Sequence, residues 1–398
     1  MGMNVSFVNF QYHKMRLHTA MYTIIMLTMS RFYEWQNGVR NRNYFILNEL
    51  LKREEIKHMY AIDYLPISFR QIFSTGLYRG KNKKKLWGTI KDQVDEKLTV
   101  YSLSCTGNVL TLINKIIGQN ADTPTIVWSY FPLFVDYFKV PPSDIKVFDA
   151  VDDWSEHSSY IKYKKRLRRS YQYIAEHADV IFTVSEYLKE HLFTHHKNVL
   201  FVPNGVDAEF FSTVYHQKEK AVIFPQLTSK KKIMTIGYVG TIQSRVDFTL
   251  LNYLAQKHTD KQFALVGPLW KEARYTELKN FHNVLFTGRV PYSKLPEVFA
   301  KFDVGIIPHT VDSFTKSMDP MKFYEYLACG LPVVSTARLH ENPALCYYAP
   351  DYDEFSRMIN KSIQENNKNF VEQRAAFAAK NSWSNRVDMM MKTIKTFS

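Results

Sequence analysis

Short, uninterrupted apolar runs separated by polar loop residues set the strongest limit on how this chain folds. Thr23-Ile-Ile-Met-Leu-Thr28, Met59-Tyr-Ala-Ile-Asp63, Leu98-Thr-Val-Tyr-Ser102, Thr125-Ile-Val-Trp-Ser129, Ile145-Lys-Val-Phe-Asp149 and Val180-Ile-Phe-Thr-Val184 are all of this kind. A strand with one wet face alternates apolar and polar residues, whereas a continuous run suits a strand buried on both faces of a parallel sheet. Between the first two runs, Met29 to Asn41 reads as a loop and Arg42 to Lys52 as a helix, a strand-helix-strand unit.

Val199-Leu-Phe-Val-Pro-Asn-Gly-Val206 ends this series with a strand and an Asn-Gly turn, and the Lys-rich stretch His216 to Lys232 follows, which predicts a domain boundary. The rhythm then restarts. Strands are expected at Met234 to Val239, Phe263 to Gly267, Val284 to Phe286 and Val304 to Ile307, with helices at Phe248 to Gln256 and Lys294 to Lys301. The expected fold is α/β, two doubly wound Rossmann-like halves with a ligand cleft at the carboxyl ends of their strands. We divide the chain into an extension over 1–20, a first domain over 21–205 and a second over 206–380. A last helix over 381–398 is available to pack back on the first domain.

Charge narrows the partner. Lys and Arg number 52 against 38 Asp and Glu, a formal net charge of +14, which points to an anion: nucleic acid, a membrane surface or a phosphorylated substrate. The runs Lys81-Asn-Lys-Lys-Lys85 and Lys164-Lys-Arg-Leu-Arg-Arg169 read as solvated faces or as basic patches toward anionic lipid or a pyrophosphate-bearing acceptor. The aromatic residues do not alternate with basic ones as a single-strand binding groove requires, so nucleic acid is not expected. Cys105, Cys329 and Cys346 form no metal or disulfide spacing and read as reduced thiols of a cytosolic protein. His195-His196 lacks a second ligand cluster, and no metal is expected. The apolar window Tyr22 to Met29, about eight residues, is far short of the roughly 20 that span a bilayer, so the expected location is the cytoplasm, as a soluble or peripheral protein at the inner face of the membrane.

Three segments carry chemistry. In Ser317-Met-Asp-Pro-Met-Lys-Phe-Tyr-Glu325, Asp319 suits an N-cap and Pro320 the first helical position, and Lys322 and Glu325 share one face of the helix that follows. Such a helix start can hold an anion beside a hydroxyl-rich group; a plain capped helix with a surface pair is the alternative. Gly237-Tyr-Val-Gly240-Thr-Ile-Gln-Ser-Arg245 is a glycine-containing strand-to-helix turn with an Arg placed to meet an anion, or an ordinary turn, but neither a dinucleotide fingerprint nor a phosphate loop. Asp152 and Asp153, with Trp154 and His157 behind them, follow a strand and suit sugar hydroxyls or a proton transfer, or else a helix cap and a solvated acid.

Val202-Pro-Asn-Gly-Val-Asp207, Gly237 to Gly240, Leu265-Val-Gly267, Asn283 to Gly288, Leu295 to Asp303, Lys322 to Glu325, Gly330-Leu-Pro-Val-Val-Ser335 and Ser382-Trp383 occur in an order that resembles glycosyltransferase family four, of GT-B fold, from about residue 21 onward. The resemblance implies a nucleotide-sugar donor, UDP-linked by preference, on the second domain and a glycan or lipid-linked acceptor on the first. It also implies retained anomeric configuration and no obligatory metal. Glu325 matches the second of the family's paired acids, which typically contacts the donor ribose, while Ser317 stands in place of the first. Thr241 replaces a frequent Arg, so Arg245 and Lys322 are expected to supply the positive charge. Donor contacts are expected besides from Gly240, Thr241, Gly267, Arg289, Val290, Ser317 and Met318, and catalytic roles from Asp152, Asp153, Arg245 and Lys322. The chain is most similar to bacterial cell-envelope polysaccharide transferases. A nucleotide-sugar epimerase of similar fold and a non-catalytic basic nucleic-acid or lipid-binding protein are the alternatives.

Overall fold

The computed structural model describes residues 21–63, 89–103, 108–139, 144–212, 233–270 and 275–397; residues 1–20, Lys81 to Lys85 and Cys105 lie outside them. Contacts divide the chain into two compact units, Met1–Pro203 with Val387–Ser398, and Asn204–Arg386.

The first unit holds an eight-stranded sheet in the order β3-β4-β2-β1-β5-β6-β7-β8. Its strands are β1 (Tyr22–Leu27), β2 (Ile56–Asp63), β3 (Thr89–Asp95), β4 (Leu98–Leu103), β5 (Thr125–Ser129), β6 (Ile145–Ala150), β7 (Val180–Thr183) and β8 (Val199–Phe201). All pair in parallel except β3 with β4. Every residue of β1, β5 and β7 is buried, the condition that the continuous apolar runs predict. The stretch expected as a loop after β1 contains a short helix, α1 (Phe32–Gln36), in which Glu34 closes the first turn by accepting the Arg31 N–H at 2.8 Å. Helices α2 (Arg42–Leu51), α3 (Val109–Gln119), α4 (Lys164–His177) and α5 (Glu186–Leu192) follow, and α2, α3 and α5 begin at Asn41, Asn108 and Ser185, whose side chains each accept an N–H of the first turn.

The second unit begins with α6 (Ala208–Ser212) and builds a six-stranded parallel sheet in the order β11-β10-β9-β12-β13-β14. Its strands are β9 (Thr235–Val239), β10 (Gln262–Val266), β11 (Val284–Gly288), β12 (Val304–Ile307), β13 (Val333–Ser335) and β14 (Tyr347–Tyr348). Adjacent residues of these strands enter two separate cores: Ala264, Val266 and Val333 pack in one, and Phe263, Leu265 and Val334 in the other. Helices α7 (Phe248–Lys257), α8 (Leu295–Phe299), α9 (Ser313–Lys316), α10 (Met321–Ala328), α11 (Tyr352–Gln364) and α12 (Lys368–Lys380) supply the rest. Burying one Leu, Ile or Phe side chain is worth about 1.5–3 kcal/mol, so two filled layers dominate the stability of this unit. The last helix, α13 (Trp383–Ile394), runs across the boundary at Val387, and Val387, Met390, Met391 and Ile394 are buried.

The start of α10 corrects one expectation. The helix opens at Met321 with Pro320 as its cap and no capping side chain. Asp319 instead accepts the Asn204 N–H at 2.5 Å and the Tyr324 hydroxyl at 3.1 Å, which takes its carboxylate away from the helix amides.

Candidate active site

At the end of β9 the chain turns at Gly240, and at the end of the neighbouring β10 it turns at Gly267; both have φ of +145°, a conformation that side-chain-bearing residues rarely adopt. The Gly240 N–H donates to Val266 O and the Gly267 N–H to Gly288 O, each at 2.9 Å. A Cβ on Gly267 would lie 2.0 Å from Gly240 O, so the two turns touch backbone to backbone. This is the carboxyl edge of a parallel sheet, where such folds bind ligands.

Lys322 covers that edge. A Cβ on Gly240 would meet Lys322 Cε at 3.2 Å and Nζ at 3.5 Å. The ammonium lies 5.1 Å from the centre of the Tyr238 ring, and the Tyr238 hydroxyl donates to Thr241 O at 3.1 Å. Arg245 sits in the loop between β9 and α7, where its carbonyl accepts the Thr310 N–H at 2.9 Å. Its Nε is buried without a hydrogen-bond partner. His309, just past β12, is also buried; its ring stands 6.2 Å from that of Tyr238, and its Nε2 has no partner.

The charges in this cluster strain one another. Burial, and then the Arg245 charge, pull the Lys322 ammonium down to about 7, against the opposing pull of Glu325. Burial pushes the Glu325 carboxyl up to about 7, against the opposing effect of Lys322. Burial, Lys322 and Arg245 hold the His309 imidazole well below its ordinary value, so it is neutral at physiological pH. Neither Arg245 nor Lys322 makes an ion pair among the described residues, and an anion beside Gly240 would relieve both.

Residues 231–365 match the family model described as "Glycosyl transferases group 1". The chain carries a group 1 glycosyltransferase domain. A curated Bacillus subtilis protein provisionally named the teichuronic acid biosynthesis glycosyltransferase TuaH is 25% identical over 285 residues, covering 67% of this chain and 70% of the relative. Sucrose-phosphate synthase from Thermosynechococcus elongatus superimposes with a TM-score of 0.66 at 14% identity, over 94% of this chain and 98% of the other. Anabaena Alr3699/HepE, solved in complex with UDP, superimposes with a TM-score of 0.62 at 13% identity, over 94% of this chain and 100% of the other. The fold is GT-B, and the protein is a glycosyltransferase.

In the glycosyltransferase domain, Gly240, Thr241, Arg245, Gly267, Lys322 and Glu325 come together, and Tyr238 and His309 join them. The sequence reading had not singled out these last two as site residues. Their place at or just past the carboxyl end of a strand is the signal that could have found them. Ser317 is buried, with its hydroxyl donating to Phe314 O at 2.7 Å, and Met318 beside it is half-buried. Arg289 is exposed and Val290 packs against the core that contains Leu295 and Phe299.

Asp152 and Asp153 belong to the other unit of the glycosyltransferase. The Asp153 carboxylate accepts the Ser155 N–H at 2.9 Å and hydroxyl at 2.6 Å, so it closes a turn. Asp152 is half-buried, and its carbonyl takes the Tyr171 hydroxyl at 2.9 Å. His157 and His196 each accept an N–H from two residues further on. Two further acids are buried there. Asp149 is bound by Arg42 Nε at 2.9 and 3.0 Å, and Arg42 also reaches Pro203 O at 3.1 Å. Asp63, at the carboxyl end of β2, accepts the Phe32 N–H at 3.0 Å and the Ser102 hydroxyl at 2.7 Å, yet burial pushes its carboxyl up to about 6. Among the described residues no group of three or more His, Cys, Asp or Glu is placed to hold a metal ion.

Proposed function

We propose that this glycosyltransferase moves a hexosyl group from a UDP-sugar, with retained anomeric configuration, to a cell-envelope glycan or a lipid-linked acceptor. The observation that carries the donor assignment is the pair of cations, Arg245 and Lys322, at the glycine turn of β9 with no ion-pair partner among the described residues. A diphosphate supplies the missing negative charge. Charge grows on its leaving oxygen during transfer, so cations fixed beforehand favour the transition state over the bound donor. The uncapped start of α10 adds its amides to the same field. In this reading Glu325, on the Lys322 face of α10, accepts from the ribose hydroxyls. In this reading Arg245 and Lys322 do the electrostatic work that a divalent ion does elsewhere, and transfer proceeds in a chelator. Asp152 and Asp153 are assigned to the acceptor side. Two similarities support the choice of substrates: Alr3699/HepE was solved with UDP and with UDP-glucose, and the Bacillus relative is named for teichuronic acid biosynthesis.

The test is sugar transfer from radiolabelled UDP-hexoses to a lipid-linked or glycan acceptor, with chelator present and the product anomer assigned by NMR. Transfer with retention supports the reading. Acceptor-independent release of UDP or of an altered sugar nucleotide would replace it with the epimerase alternative, and inversion would overturn the stereochemical part.

A further inference from the structure

The first unit carries an exposed basic and apolar segment that the donor site does not use. Residues Ser158–Tyr163 form a 3-10 turn in which no residue is buried, and α4 follows without a break at Lys164. The segment is nevertheless anchored. The Tyr160 ring packs against Phe131 at 5.7 Å, Trp154 at 5.6 Å and His157 at 5.5 Å, while Lys164 and Arg168 both reach Glu156. With Tyr160 held inward, Ile161 is left 57% exposed and Tyr163 44% exposed. Around them Lys162, Lys165, Arg166 and Arg169 are exposed and make no ion pair among the described residues. A rigid apolar tip ringed by unpaired cations is costly to hold in water and complementary to one kind of surface.

We propose that Ile161 to Arg169 is a docking surface for an anionic lipid bilayer, with Ile161 and Tyr163 entering the interface and the four free cations meeting lipid phosphates. It stands apart from the donor reading, since it needs no turnover. Polyanions such as DNA would satisfy the cations but give no return on the two apolar side chains, and that difference decides the test. The full chain is sedimented with vesicles of phosphatidylcholine alone or of equimolar phosphatidylcholine and phosphatidylglycerol. Binding is expected to the second only and to weaken as salt rises. Replacing Lys162, Lys165, Arg166 and Arg169 by Gln is expected to weaken partitioning by about fivefold for each charge at low salt. Ile161→Ser with Tyr163→Ser is expected to weaken it severalfold while leaving the salt dependence in place. Circular dichroism of both variants checks that the fold is kept, which the exposure of every altered side chain favours. Equal sedimentation of wild type and the charge variant overturns the proposal. So does a short duplex DNA that displaces the vesicles, with the serine variant binding them as well as wild type does.

Discussion

Lys322 and Glu325 both titrate near neutrality, in opposite senses, and this makes the proposed donor site readable by pH. Above about 7 the free enzyme loses the Lys322 proton, which on the proposed reading meets the diphosphate; below about 7 it neutralises the Glu325 carboxylate, which on that reading meets the ribose. Affinity for UDP-glucose, a ligand without a secondary phosphate ionisation, should therefore peak near neutral pH, with limbs that belong to the coupled pair. Titration calorimetry between mildly acidic and mildly alkaline buffers is expected to show Lys322→Met losing the alkaline limb and Glu325→Gln the acid limb. Limbs that survive both changes would place the titration elsewhere. Stability gives an independent reading. The folded pKa of Glu325 lies above its ordinary 4.5, so the folded chain binds the extra proton, and the stability contributed by this group is present below 4.5 and lost as pH rises through about 7. Glu325→Gln should hence match wild type in urea at pH below 4.5 and exceed it by about 3 kcal/mol above 7. On the proposed reading, in which the Arg245 charge is aimed where negative charge grows, Arg245→Met should lower turnover on the order of a hundredfold with a smaller effect on donor binding.

The elements show why some of this was legible in the sequence and some was not. The strands around which both sheets are built were readable because burial on both faces forces unbroken apolar runs, as in Thr125 to Ser129. β3 was not, because Thr89 to Asp95 is mostly polar, its described side chains are exposed, and it owes its pairing to β4 rather than to its own pattern. The opening of α10 slipped by a residue because Asp319, a good cap on propensity, is claimed by Asn204, a partner distant in sequence. Lys322 and Glu325 could be paired from helical spacing alone, whereas His309 joins them through strand order, and its place just past a strand end is the one sign of it in the sequence. The touching turns give the sharpest element-scale test. Gly267→Ala adds a Cβ within 2.0 Å of Gly240 O on a backbone that disfavours it, and should cost more than about 3 kcal/mol in chemical denaturation and abolish donor binding. Arg374 joins α12 to the end of α10: it donates to Ala344 O at 2.6 Å, to Gly330 O at 3.0 Å and to Asn366 Oδ1 at 2.7 Å. Arg374→Leu strands those buried acceptors and should lower stability by about 3 kcal/mol, with the loss seen as a shifted urea midpoint.

At the scale of the whole molecule, the chain closes its first unit only with its last residues. Lys395 pairs with Glu55 at 3.0 Å, Arg53 with Asp388, and the buried Met390, Met391 and Ile394 accompany them. Deleting Val387–Ser398 should expose that apolar face and lower the unfolding temperature of the first unit well before the second, as two resolved calorimetric transitions would show. No helix among the described residues is long and apolar enough to cross a membrane. The reversed strand β3 bears on something else again, the behaviour of the protein when concentrated. It lies at one end of the sheet order, antiparallel to β4, and its described side chains, among them Lys91, Asp92 and Asp95, are exposed. A second copy seeking to extend the sheet at this edge would have to take solvated charged side chains of a short strand, Lys91, Asp92 and Asp95, into the new pairing. Solubility at high concentration thus rests in part on a strand that contributes almost nothing to the core. Exchanging Lys91 and Asp92 for valine should leave the folding midpoint nearly unchanged and lower the concentration at which light scattering first detects association.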